Sequence, residues 1–104
     1  MAAADPLTVW KDGVWKAHAQ YNDAENRFCT RAYNGTSGAQ ATLVIDSAGG
    51  RVVITDLGGN DDPNCHDMDT SYIPFVENGN FVWKLYWSGS GSASGETTWQ
   101  SGQF

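Results

Sequence analysis

A chain of 104 residues carrying a net charge of −6 has room for one small hydrophobic core. Forty per cent apolar residues, with five Trp, four Tyr and four Phe among them, exclude a disordered polymer. Twelve acidic against six basic residues exclude nucleic-acid phosphates and anionic membrane surfaces as partners, and no apolar run is long enough to insert into a membrane.

The opening MAAADP reads as the start of a mature exported chain, with residues 1–6 expected to be disordered and residues 7–104 to form a single β-sandwich domain. LTVW (7–10) and VWKAHAQY (14–21) flank KDG, a hairpin turn with Asp12-Gly13 at its tip. The second run alternates and assigns Trp15, Ala17, Ala19 and Tyr21 to one face, Lys16, His18 and Gln20 to the other. RFCTRAY (27–33) follows the polar connection NDAEN. QATLVID (40–46) and RVVITDL (51–57) are joined by SAGG, a second hairpin signal. YIPFV (72–76) contains Pro74, which lacks an amide donor and suits only an edge strand or a bulge. The connection ENGN, with Asn78-Gly79, predicts a type I′ turn into FVWKLYW (81–87). There Phe81, Trp83, Leu85 and Trp87 share one face. SGSGSASG (88–95) is a small-residue loop, and ETTWQSGQF (96–104) closes the chain as a last strand.

Apolar residues do not recur at helical spacing in any window. About eight short strands with turn signals between them predict an all-β fold: an antiparallel two-sheet sandwich, with a small barrel as the alternative.

Two cysteines with an export-type composition imply one disulfide, Cys29–Cys65, with Cα atoms about 4.4–6.8 Å apart. By the chain-entropy estimate it contributes roughly 4 kcal/mol. A zinc site would need further ligands at tight spacing, and only His18 and His66 are available.

The stretch DLGGNDDPNCHDMD (56–69) holds five of the nine aspartates. Asp61, Asp62, Asp67 and Asp69, with Asn60, offer the hard oxygen donors that calcium takes. The pattern D-x-D-x-D-G and a closing Glu are both missing, which favours a solvated acidic loop pinned by the disulfide and shaped by Asx-turns. No other cofactor is implied.

Catalytic signatures are absent. No G-x-S-x-G occurs, both cysteines are committed to the disulfide, and a small sandwich offers little space for a water-excluding cleft. The chain therefore reads as a non-enzyme with no catalytic residues.

Surface chemistry remains. Trp15 and one of Trp83 and Trp87 are assigned to the core. Trp10, Tyr86 and Trp99 lie on strands whose polar neighbours argue against burial. They are the expected binding residues, as stacking surfaces for sugar rings or as anchors for a protein. The segments AHAQY…RFCTRAYNG, TDLGGN…NC and PFVENGNFVWKLYW make the chain resemble small secreted single-disulfide β-sandwich proteins of actinobacteria. That resemblance implies export and no particular activity.

The expectation is a secreted protein acting through a protein–protein interface, as adaptor or inhibitor. The alternative is an extracellular carbohydrate-binding module. An adaptor could also offer the tail TTWQSGQF for strand addition.

Overall fold

The computed structural model describes residues 4–33, 39–58, 63–70, 75, 79–89 and 93–104. Nine strands are formed among them: β1 (Leu7–Lys11), β2 (Val14–Asn22), β3 (Arg27–Ala32), β4 (Gln40–Ser47), β5 (Gly50–Leu57), β6 (Asn64–Asp67), β7 (Asn80–Ser88), β8 (Ser94–Glu96) and β9 (Gln100–Gln103). All pairings are antiparallel. Sheet I has the order β1-β2-β3-β6. In sheet II the order is β5-β4-β7, and β8 and β9 follow one another along the free side of β7. The two sheets stack as a sandwich and do not close into a barrel.

Two hairpins follow the sequence closely. Asp12 and Gly13 both adopt positive φ, 55° and 76°, which a two-residue turn between Lys11 and Val14 demands. Ala48-Gly49 joins the paired residues Ser47 and Gly50. In the β2–β3 loop the Asn22 side chain accepts the amide of Glu25, an Asx-type contact, before Asn26 turns into the left-handed region.

The core lies between the sheets. Its alternation is clearest on β7, where Phe81, Trp83, Leu85 and Trp87 are all buried. Both Trp83 and Trp87 are thus core residues, where the sequence assigned only one of them. Apart from Phe28, sheet I contributes many small side chains (Ala17, Ala19, Ala32) and sheet II brings most of the large ones, so one sheet's bulk fills the volume that the other leaves open. Phe28, Phe81, Trp83 and Phe104 meet edge-on or tilted, with centroids 4.8–6.2 Å apart.

Four expectations are corrected. Trp15 is 40% exposed and is not a core residue. The cause is a bulge: Val9 pairs with Ala17 but Trp10 pairs with Trp15, leaving Lys16 as an extra residue on β2. Beyond the bulge the alternation changes phase, so Trp15 joins Trp10 on the outer face. Lys16 instead brings its ammonium 5.6 Å from the ring of the buried Trp87.

The acidic stretch is not simply a loop. Asp56, next to the end of β5, faces inward, 4% exposed, and its carboxylate accepts the Ala32 amide at 2.8 Å. Asn64–Asp67 form the edge strand β6, followed by a 3₁₀ turn over Met68–Thr70.

The C-terminal run 96–104 is divided. Thr97 leaves the ladder, although its amide still donates to the Leu85 carbonyl and its hydroxyl accepts the Leu85 amide, and β9 resumes at Gln100.

The last correction concerns the cysteines. Cys29 and Cys65 are bonded, directly opposite one another on β3 and β6, with Cα atoms 4.1 Å apart, just under the expected range. The cross-link therefore ties two neighbouring strands, where the sequence suggested a strand and a loop. Most of YIPFV, together with Asn78, lies outside the described residues; Phe75 packs on Phe104 with centroids 5.2 Å apart.

Candidate functional site

Sheet I has an outer face formed by the side chains that alternate away from the core. On β1 these are Thr8 and Trp10, on β2 His18 and the bulge-shifted Trp15, and on β3 Arg27, Cys29 and Arg31. The upper part of this face is aromatic. Trp10 meets Trp15 edge-on with ring centroids 5.4 Å apart and planes at 89°. Trp15 lies parallel to His18 at 5.1 Å, their planes within 7°. Tyr33, just past β3, closes the group 5.9 Å from Trp15, and the Arg31 guanidinium sits 4.8 Å over the Tyr33 ring.

Backbone geometry holds this group in place. The Tyr33 amide donates to the Lys16 carbonyl at 2.9 Å, fixing Tyr33 to the bulge that reorients Trp15. Thr8 Oγ1 and His18 Nδ1 share a hydrogen bond of 2.9 Å, which fixes the imidazole under the indole. Partial burial holds His18 below the ordinary histidine pKa of 6.5, because desolvation disfavours the imidazolium. Among the described residues no carboxylate contacts this ring. The bond thus orients His18 and does not prime Thr8 as a nucleophile.

The residues singled out from sequence are dispersed. Trp10 is 59% exposed and belongs to the cluster above. Tyr86 is on β7, on the outer face of sheet II, so the body of the sandwich separates it from Trp10. Trp99 is 42% exposed in the connection between β8 and β9, and among the described residues no ring contact joins it to Trp10 or Tyr86. The three expected binding residues do not share one face.

Of the calcium candidates, Asp61 and Asp62 lie outside the described residues. Asp67 accepts from Arg27 at 3.2 Å, and Asp69 accepts from the Asn26 side-chain amide at 3.2 Å. These two carboxylates thus address different partners across β3 and the β2–β3 loop. Among the described residues no group of three or more His, Cys, Asp or Glu side chains could hold a metal ion.

Of this cluster the sequence singles out only Trp10 for binding; Trp15, Tyr33 and Arg31 carry no such signal, and His18 enters only as an isolated potential metal ligand. Tyr33 and Arg31 sat in a run read simply as a strand. Trp15 was hidden by an alternation that is locally perfect and is broken only by its partner strand. No family model matches this chain, and no curated protein and no solved structure matches it either.

Proposed function

We propose that this is a non-catalytic binding protein that works outside the reducing cytosol and engages a protein partner through the outer face of sheet I. The observation that carries this reading is the contiguous aromatic cluster of exposed Trp10 and Trp15 with half-buried Tyr33, and with Arg31 stacked at its margin. Trp, Tyr and Arg are the residue types that dominate protein–protein hot spots: Trp and Tyr bury much area for few rotatable bonds, and Arg adds a planar fork of donors. Two indoles at right angles make a ridged surface that interlocks with side chains, and they do not form the flat shelf on which sugar rings stack. A single disulfide on the outer face, Cys29–Cys65, fits an oxidising compartment. No helix among the described residues is long and apolar enough to cross a membrane.

The test is a capture experiment from the producer's culture medium with three baits: the unchanged protein, Trp10→Ala and Trp15→Ala. A glycan array is run beside it. A captured protein should bind the unchanged chain and lose at least about 2 kcal/mol of affinity with each variant, the usual size of an aromatic anchor. Melting temperatures should stay close to that of the parent. Glycan signals that depend on Trp10 and Trp15 would move the reading to a lectin. Undiminished capture by both variants would remove sheet I from it altogether.

A further inference from the structure

The outer face of sheet II carries a second constellation, independent of the aromatic cluster on sheet I. Three strands are in register there. Thr42 on β4 pairs with Tyr86 on β7, and Tyr86 pairs with Glu96 on β8. Two residues further along, Gln40 pairs with Ser88, and Ser88 with Ser94. The result is a grid of two rows and three columns, with columns about 4.8 Å apart as in any sheet. An aromatic ring occupies the middle of one row, with a hydroxyl and a carboxylate on its sides. An amide and two hydroxyls make up the other row. These six side chains, together with Trp87 and Gly95, line an open groove of about 550 Å³, within the range of ligand sites.

Charge narrows the choice of ligand. Lys84, next to Tyr86 on the same face, bonds Glu96 at 3.1 Å and lies 4.9 Å from the Tyr86 ring centroid. The Glu96 contact also holds the Lys84 ammonium above its ordinary pKa. The groove's local charge therefore cancels, and with a chain of net charge −6 nothing there recruits an anion. An apolar ligand would find mostly polar side chains around Tyr86. A cation would compete with Lys84 for Glu96. A neutral ring bearing several hydroxyls satisfies all of these features: an apolar face for Tyr86 and hydroxyls at cross-strand spacing for the carboxylate, the amide and the Ser/Thr hydroxyls.

We propose that the groove over Tyr86 binds a neutral sugar ring, with Tyr86 as the stacking surface and Glu96, Gln40 and Thr42 as hydrogen-bonding partners. This site is separate from the protein-binding face on sheet I, and each can fail without the other.

The experiment is a titration of the ¹⁵N-labelled full chain with methyl β-glucoside, cellotetraose and chitotetraose, with glucuronate and inorganic phosphate as anionic controls. Saturable amide shifts centred on Thr42, Tyr86 and Glu96 are expected with at least one neutral saccharide. Tyr86→Ala should weaken that binding by about tenfold or more, whereas Tyr86→Phe, which keeps the ring and the strand, should retain most of it. Trp10→Ala should leave the titration unchanged. The proposal is overturned if no neutral saccharide gives saturable shifts, if the shifts centre on Trp10 and Trp15, or if glucuronate or phosphate titrates the groove equally well. It is also overturned if Tyr86→Ala, shown folded by its amide spectrum, binds as tightly as the parent.

Discussion

Phe28, Phe81, Trp83 and Phe104 inside the sandwich and Trp10, Trp15, His18 and Tyr33 outside it are both sets of rings in mutual contact at similar centroid distances. What differs is the surroundings. The inner rings are covered by both sheets, and each is no more than 2% exposed. The outer rings rest on one sheet, with Trp10 and Trp15 left open to solvent by 59% and 40%. Ring contact is thus not what separates core from surface in this protein. The second sheet separates them: the inner set gains the hydrophobic term in full, and the outer set retains much of its area for something else to cover.

The sharpest way to break this contrast is a pair of truncations. Trp83→Ala removes a fully buried indole and should destabilise by about 3–5 kcal/mol, with some cavity relaxation included. Trp10→Ala should cost about 0.5 kcal/mol, the usual scale for surface substitutions. Urea denaturation of both variants decides it. If Trp10→Ala approached Trp83→Ala in cost, the outer cluster would be a structural element and not a surface held in reserve.

A second test asks whether the outer face contributes stability by a route other than burial. The Cys29–Cys65 cross-link spans 36 positions of chain, so its loss in the double Cys→Ser variant should cost about 2–5 kcal/mol through the unfolded state. The β-sheet circular dichroism signal should persist at low temperature, and mass spectrometry of the parent should detect no free thiol. A double variant as stable as the parent would mean that the unfolded chain is little restrained by the bond.

The third test probes how tightly the inner set is fitted. A Cβ on Gly102 would meet Phe81 Cζ and lie 2.6 Å from Phe81 Cε1 and 2.9 Å from the Ala4 Cβ. Phe81 is wedged among other buried rings and cannot turn aside cheaply, so Gly102→Ala should destabilise by about 1–3 kcal/mol. A neutral result in thermal denaturation would show that β9 moves outward freely and that this end of the core is loose.

How much of this was legible beforehand follows from where the determining forces act. Alternation along 81–87 exposed the inner face of β7, because both the pattern and the burial lie within one strand. Asp12-Gly13 exposed the first hairpin, because positive φ is a property of those residues. The Cys29–Cys65 pair was legible by chemistry alone. The bulge at Val9 and Trp10 was not. A register shift belongs to two strands together, and the run 14–21 gives no hint that Lys16 is the extra residue. Polar Asn64–Asp67 concealed β6 in the same way, since its pairing with β3 owes nothing to apolar patterning. Likewise, the rows Thr42–Tyr86–Glu96 and Gln40–Ser88–Ser94 exist only once three strands are aligned.

The smallest effect is the most specific to the outer set. At His18 two influences compete. The Trp15 face, parallel to the imidazole at 5.1 Å, would favour the charged ring, while burial beneath it favours the neutral one. Desolvation by burial lowers the His18 pKa below 6.5 in the folded chain. The unfolded chain then takes up this proton first. The contribution of neutral His18 to stability is complete above pH 6.5 and is lost as the pH falls from there through the lowered folded value. His18→Gln should flatten this part of the stability profile just below pH 6.5, leaving the carboxylate-driven decline at lower pH in place. A ¹H–¹³C titration of the imidazole reads the same quantity directly. A His18 pKa above 6.5 would mean that the indole's attraction for the imidazolium outweighs desolvation, and that mild acid strengthens this corner of the outer cluster instead of loosening it.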